Sequence, residues 1–358
     1  MAVNNTTIRE LAKIAHSAPS ADNSQPWKLI WNGDCLSVSY DTGRVIGKTF
    51  PPHSPATLLS IGSVVEILVS VATDWGMGPK LELCENLPTP SGTYATIKFD
   101  TIEANNSQSE RRHPTLLRHT NRLSYHSQPI PDDLSPDIES QRENHARTVI
   151  IRDNMIIRRI ASVVRRASEV RFQTQEIHEW LGRSLRFSDS SAKKGDGMDV
   201  ATLGLPPGGK LFLRLISQWS RMRILNKFGI YKVVAGIDSA PVASAPALVA
   251  IIGSADPRGT FDSGRLMTRS WINLNRQGLS VHPYYVIADQ LSRKRNNGIP
   301  SNLNALADDI SKQSTDLFGL RGDETLHMLF RVGYTKNKPR MALRLALDSV
   351  YKDTSPRS

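Results

Sequence analysis

Cysteine is almost missing from this chain of 358 residues: Cys35 and Cys84 are the only two. That excludes a disulfide framework and a cysteine-built zinc site, and both sit in apolar, strand-like segments, where buried and inert thiols are expected. No apolar run is long enough to cross a bilayer. The longest, Leu58 to Ala72, is interrupted by Ser60, Gly62, Ser63, Glu66 and Ser70. The opening MAVNNTTIRELAKIA lacks the apolar core of a signal peptide. Several catalytic signatures are missing too. Gly43 to Thr49 (GRVIGKT) has three residues between its glycines where a P-loop needs four, and no G-x-G-x-x-G, H-E-x-x-H or G-x-S-x-G occurs. The nine histidines are scattered without metal-ligand spacing. The expectation is a soluble, cytoplasmic chain with no metal site and no membrane partner.

Enough remains to build a core. Apolar types make up 39% and charged types 22%, which excludes wholesale disorder, and the length allows two domains or one large one. Basic residues outnumber acidic ones, for a net charge of +11. That surplus favours an anionic partner, namely a phosphate-bearing cofactor, a nucleic acid or an acidic membrane surface. The basic run Arg158, Arg159, Arg165, Arg166 and Arg171 lacks the interleaved aromatics of a single-strand binder and reads as a solvated helix face.

Periodicity predicts a short amphipathic helix over 7–16, stopped at Ala18-Pro19, and a hairpin over 28–40 around Asn32-Gly33. It predicts a buried helix over 58–72, a polar linker over 102–114, and a polar helix near 133–144. A strand over 147–152, a basic helix over 155–172 and a loop-like segment over 182–210 follow. A strand over 247–252, a helix over 265–277 and a strand over 327–334 complete the pattern. Gly62 and Gly76 bracket the first buried helix fourteen apart; Gly264 and Gly278 repeat that spacing 202 positions on, an echo consistent with a duplicated fold.

Three segments carry polar groups suited to a ligand. Pro19-Ser-Ala-Asp-Asn-Ser-Gln-Pro-Trp27 is fixed by two prolines and offers Ser20, Asn23 and Gln25 as hydrogen-bonding groups for a heteroaromatic ligand; the ordinary alternative is a helix-to-strand turn bonding its own backbone. Arg118-His-Thr-Asn-Arg-Leu-Ser-Tyr125 sets two arginines four apart on one side of a helical turn, with Thr120 and Asn121 between them, where guanidinium forks chelate phosphate. A solvated basic face is the ordinary alternative. Gly278-Leu-Ser-Val-His-Pro-Tyr-Tyr285 leads from a helix end into a strand bearing His282, Pro283, Tyr284 and Tyr285, against the alternative of core packing.

Together these segments resemble the nitroreductase superfamily of FMN-dependent oxidoreductases. PSADNSQPW is similar to that family's PSSxNxQPW loop, RHTNRLSY to its R-x-S/T-x-R phosphate motif, and GLSVHPYY to the segment running along its flavin ring. Arg331-Val-Gly-Tyr334 resembles its late strand, with Arg340 and Arg344 where a basic C-terminal segment reaches the phosphate. The QPW loop precedes the arginine motif, as in the tandem, fused-dimer subgroup that includes the Acg-type proteins.

The resemblance implies an α+β fold, a nitroreductase-like three-layer α/β/α sandwich, with residues 1–110 as one half and 111–358 as the other. It implies an insertion at about 180–240 that serves as a lid, and one flavin site per chain. It further implies FMN held by Ser20, Asn23, Gln25, Arg118, Thr120, Asn121, Arg122, Pro283, Tyr284, Tyr285, Arg340 and Arg344. Arg118 and Arg122 would take the phosphate with Arg340 or Arg344, and His282 or Tyr284 could move a proton. The implied activity is transfer of hydride or electrons from NAD(P)H to a small-molecule acceptor, with no nucleic-acid partner. The chain would be a monomeric pseudo-dimer or a homodimer. A flavin-sequestering protein with a closed lid and an FMN-dependent oxidase or desaturase are the rival readings.

Overall fold

The computed structural model describes residues 4–43, 50–100, 113–335 and 337–356. Most of the expected linker, and most of the Gly43–Thr49 stretch, lie outside the described residues. The fold is α+β.

The first half opens with α1 (Asn5–Ala15), whose N-terminus is capped by the Asn4 side chain accepting from Thr6 N–H and whose apolar stripe buries Ile8, Leu11, Ala12 and Ala15. The hairpin β1 (Trp27–Trp31) and β2 (Cys35–Tyr40) turns at Gly33, whose φ of +96° is one that side chains rarely adopt. Helix α2 (Pro55–Asp74) starts on a Ser54 cap with proline in its first turn, and is buried nearly all round. Strands β3 (Pro79–Leu83) and β4 (Thr93–Phe99) complete the half.

The second half begins with α3 (Leu134–Glu139) and the hairpin of β5 (Arg142–Glu143) with β6 (Ala146–Ile151). The polar helix expected near 133–144 therefore ends early, because its last residues pair as a strand. Helix α4 (Asn154–Gln173) follows, capped by Asp153, and then a long insertion. It holds α5 (Gln175–Ser184), β7 (Leu185–Arg186), α6 (Asp189–Ala192), β8 (Met198–Asp199), α7 (Gly209–Ile216), α8 (Trp219–Asn226) and α9 (Ile230–Ala243). Residues 182–210 are thus not a free loop. β7 and β8 pair in parallel, and Arg186 bridges Asp196 at 2.8 Å.

The chain returns through β9 (Ala247–Ser254), α10 (Pro257–Arg276) and β10 (Ser280–Tyr284), then α11 (Val286–Arg295), α12 (Asn304–Phe318) and β11 (Glu324–Gly333). A final strand, β12 (Tyr351–Asp353), pairs in parallel with β1.

The sheets run β12-β1-β2-β4-β3 and β5-β6-β9-β11-β10, so each half threads two antiparallel strands, a 20-residue helix and two more strands in the same spatial order. The helices α2 and α10 start and end 202 positions apart, as the glycine echo predicts. They cross backbone against backbone. A Cβ on Gly62 would stand 2.2 Å from the Phe261 carbonyl oxygen, and one on Gly264 would stand 2.3 Å from that of Leu59. Nothing larger than glycine fits either position. Glu66 of α2 and Glu143 share Arg265 and Arg269 of α10 over 2.5–3.1 Å, and these half-buried to buried charges pin the crossing.

The first sheet packs one face on α1 and α2, with Trp27, Leu29, Leu36 and Ile97 inside. The second sheet is the middle of an α/β/α stack. One face packs Val249, Val281 and Phe330 on α10, and the other packs Leu248, Ala250 and Leu329 on α4, α11 and α12. Cys35 and Cys84 are half-buried rather than buried, because both stand at strand ends.

Candidate functional site

Four segments meet where the halves join: the 17–25 loop, the 118–125 segment, β10 with Tyr285, and residues 343–345 of the C-terminal arm. The loop is conformationally costly. Asp22, Asn23 and Gln25 all have left-handed backbone (φ +48°, +58° and +49°), at about 1–3 kcal/mol each for non-glycine residues. Its side chains account for that shape. The Ser20 hydroxyl accepts from Gln25 N–H (3.0 Å), while buried Gln25 donates to Gly195 O (2.9 Å) and accepts from Leu345 N–H (3.0 Å). Asn23 donates to Gly195 O, Gly197 O and Leu343 O over 3.0–3.1 Å and accepts from Arg344 at 2.8 Å. Trp27 Nε1–H donates to His16 Nδ1 (3.1 Å), so His16 carries its proton on Nε2 and donates it to Leu345 O (3.0 Å). The loop and the arm are laced into one piece.

That lacing delivers Arg344 beside Arg118. Both guanidiniums donate to the Ser17 carbonyl, at 3.3 and 2.8 Å, and Arg344 also reaches Ala18 O at 3.2 Å. Arg118 lies over the Trp271 ring, 4.7 Å from its centroid. Among the described residues no carboxylate pairs with either arginine. Burial, and then Arg344, pushes the Arg118 guanidinium down to about 9; burial pushes Arg344 down to about 10. Ser17 Oγ and the Nε atoms of both arginines are buried without a hydrogen-bond partner.

Arg122 is elsewhere. The 118–125 segment is extended, bridging from Thr120 to Val281, with Asn121 N–H donating to Val281 O at 2.8 Å. An extended chain separates residues four apart by about 13 Å, so the helical turn expected here does not form and the two arginines diverge. Arg122 joins Asp22, Tyr125, His282 and Tyr284 at a second pole. The His282 and Tyr284 rings are 4.5 Å apart, as alternate residues of one strand face. Burial, with Arg122 and Arg331 close by, holds His282 neutral and well below the ordinary range; its Nδ1 is a buried orphan. Burial raises the Tyr284 phenol, so it keeps its proton.

Other expected residues have structural tasks. Asn121 is buried and pins its segment to Ser280 (3.2 Å). Arg340 pairs with Asp189 (3.5 Å) and Asp199 (3.2 Å), away from the arginine pair. Those carboxylates draw it to the insertion, so of the two C-terminal arginines only Arg344 stands beside Arg118. Tyr285 packs with the α10-side core, and its burial raises its phenol. Pro283 pairs with Phe330 in the sheet, and the Thr120 side chain lies on the extended segment between the poles.

Sequence reasoning missed Ser17 and Trp271, and it read Asp22, Arg331 and Trp180 only as members of the loop, the late strand and an apolar stretch beside the 182–210 segment. Asp22 was within the loop already singled out. It is half-buried, desolvation raises its carboxyl, and it accepts from Trp180 Nε1–H at 2.7 Å. Arg331 stacks on Tyr125 at 3.8 Å and donates to Leu123 O at 2.7 Å. No local pattern marks Trp271, which acts through contacts some 150 residues away.

The insertion covers this site. Besides the Asn23, Gln25 and Asp22 bonds, a Cβ on Gly195 would fall 2.1 Å from Arg344 O, and one on Gly204 would fall 3.1 Å from Leu123 Cδ2.

No family model matches the chain. It is 24% identical over 289 residues to the uncharacterized protein MT1398 of Mycobacterium tuberculosis, a match taking in 77% of this chain and 38% of that protein. The chain thus spans well under half the length of that relative. Among solved structures it is similar to a nitroreductase of Bacteroides fragilis with bound FMN (9% identity, TM-score 0.35, 65% of this chain and 96% of that one). It is similar to a BluB-like flavoprotein of Clostridium difficile 630 (12%, 0.37, 66% and 95%). An iodotyrosine deiodinase bound to FMN and 3-iodo-L-tyrosine gives 13%, 0.34, 65% and 93%. It is the geometry of this chain that carries its functional reading.

Proposed function

We propose that the chain binds one FMN and is an oxidoreductase of the nitroreductase type, passing hydride or electrons from NAD(P)H to a small-molecule acceptor. One observation carries the reading: the buried Arg118 guanidinium and the half-buried Arg344, whose Nε is itself enclosed, converge on Ser17 without an acid between them. Two unpaired cations in a low-dielectric site are unfavourable alone and suit a dianionic phosphate monoester, which the orphaned Nε atoms and Ser17 Oγ can meet.

FMN, when bound, supplies the redox chemistry, accepting and returning two electrons. The chain's residues bind and orient. Arg118 and Arg344 take the phosphate. Arg122 is the cation at the opposite pole, beside His282 and Tyr284. Neutral His282 offers a hydrogen bond at Nδ1 rather than a proton at neutral pH, and protonated Tyr284 is a donor. Asn23 and Gln25 spend their amide donors on the cover and the arm, so they shape the site, whereas the Ser20 O–H remains free to donate to a ligand.

The cover supports a second reading, a flavin store. Three hydrogen bonds from Asn23 and Gln25 and a fourth from Trp180 to Asp22 fasten it over the site. A spectrum of the purified protein, with released flavin counted against protein, tests the cofactor. Flavin peaks at one per chain support it, and a colourless protein that takes up no FMN overturns it. Bleaching by NADH or NADPH then separates an enzyme from a store.

A further inference from the structure

The outer surface of the insertion is used neither by the proposed redox site nor by the core. Helices α7, α8 and α9 pack inward on one small cluster, with Ile216, Met222 and Ala235 buried against Phe172. Their other faces are strongly apolar and open. Leu205, Leu211, Phe212, Leu215, Ile224, Phe228, Val233 and Ile237 are all exposed; Phe228 reaches 79% and Leu211 73%. Eight of the thirteen large exposed hydrophobic residues of the described chain thus fall within 33 positions. Scattered single residues of this kind are ordinary, but a concentrated group marks an interaction surface.

Charge decides the partner. Residues 200–237 contain Lys210, Arg214, Arg221, Arg223, Lys227 and Lys232 and no aspartate or glutamate. All six cations are exposed, and among the described residues none pairs with a carboxylate. A second copy laid on the same face by a two-fold would set six cations against six. A nucleic acid would leave the aliphatic Leu, Ile and Val side chains unmatched. Apolar side chains interspersed with unpaired lysine and arginine fit the boundary between the headgroups and acyl chains of an anionic bilayer.

We propose that α7–α9 dock this protein on the surface of an anionic membrane. Docking from one side needs no spanning segment, and α2, the one helix among the described residues long and apolar enough to cross a bilayer, is buried in the core. The surface lies on the same insertion that covers the redox site, and its docking does not depend on what that site binds.

The test is cosedimentation of the full chain, as purified, with vesicles of phosphatidylcholine alone or with a third phosphatidylglycerol. The expected result is pelleting with the anionic vesicles only, weakened by salt. Phe212→Glu with Phe228→Glu should abolish it. Each cation reversed among Lys210, Arg221 and Lys227 should weaken partitioning about fivefold or more. These positions are exposed, so an unchanged circular-dichroism spectrum checks the fold independently of flavin content. Three results would overturn the proposal: protein left in the supernatant with both vesicles; a dimer in sedimentation velocity that the double variant converts to monomer; or tighter, salt-sensitive binding to duplex DNA that the double variant leaves intact.

Discussion

Arg118→Met should make the flavin-free protein more stable and its FMN complex weaker. In the wild type Arg118 is held near 9, against an ordinary 12.5, a bias of roughly 5 kcal/mol against its charged form. The folded value lies below the unfolded one. The penalty is therefore complete below about pH 9 and is relieved only as pH rises from there toward 12.5. The bond to Ser17 O returns about 1.5–3 kcal/mol, and stacking on Trp271 about 1–2 kcal/mol more. Methionine keeps much of the volume, and Ser17 O keeps its bond from Arg344. The net expectation is a gain of about 1–2 kcal/mol in the absence of flavin, or a rise of roughly 1–3 °C in Tm.

With FMN the sign reverses. Loss of one charge-assisted phosphate contact weakens binding roughly ten- to a hundredfold, while riboflavin, which lacks the phosphate, is bound as before. Differential scanning fluorimetry of stripped protein and fluorescence titration with each flavin supply the two readouts. A stripped variant that melts lower than wild type, or equal losses for FMN and riboflavin, would falsify the assignment of Arg118 to an anion.

Arg122→Leu should weaken FMN and riboflavin to the same degree, since Arg122 lies at the other pole; a loss confined to FMN in the same titration would return it to the phosphate. Replacing residues 186–206 by a short Gly/Ser linker should speed reduction by NAD(P)H in stopped flow while flavin stays bound, and unchanged rates would make the cover a spacer. Buried His327 is held at about 4, below its unfolded 6.5, so the unfolded chain binds more protons between those values. Stability should therefore fall by about 3 kcal/mol as pH drops through that window, and His327→Gln should flatten the loss in urea titrations from pH 7 to 4. Gly264→Ala should cost about 3 kcal/mol or more in the same titrations, because the added methyl meets the Leu59 backbone, which cannot move aside without parting α2 from α10.

Much of the fold was legible because its signals are local. The Asn32-Gly33 turn and the hairpin around it depend on a few adjacent residues, as does the stop of the first helix before Pro19, whereas the helix read from Leu58 starts three residues earlier, on the Ser54 cap. The glycine echo was readable for a less local reason: Gly62 and Gly264 answer the same steric demand at one crossing, so the repeat in sequence is one contact seen twice. The site was legible by segment and not by role. Arginines at i and i+4 look alike in sequence whether the backbone is helical or extended, and the Thr120 bridge to Val281 that settles the matter is a contact across 161 positions. The same holds for Arg340 and Arg344. Only the carboxylates of Asp189 and Asp199, remote in sequence, divert one of them to the insertion.

Two halves of one topology present two equivalent places, and the residues proposed to hold the flavin occur at one of them. The residues 202 positions before His282, Pro283 and Tyr284 are Lys80, Leu81 and Glu82. Lys80 pairs with Asp100 at 2.6 Å and Glu82 with Lys98 at 3.9 Å, in exposed surface bridges, which contribute little to stability and enclose nothing. The arm decides the asymmetry further. It runs back along the first half, brings Arg344 to Ser17 and ends as β12 on the first sheet, so the one anion pole is built from both halves and the tail. The insertion touches the same loop and arm through Trp180, Gly195 and Gly197. Gly195 against Arg344 and Trp180 against Asp22 fix its inner side, whereas the acid-free stretch of the insertion is confined to residues 200–237. Whatever opens the cover therefore acts on α5 to α9, the segment whose exposed apolar face is the proposed docking surface.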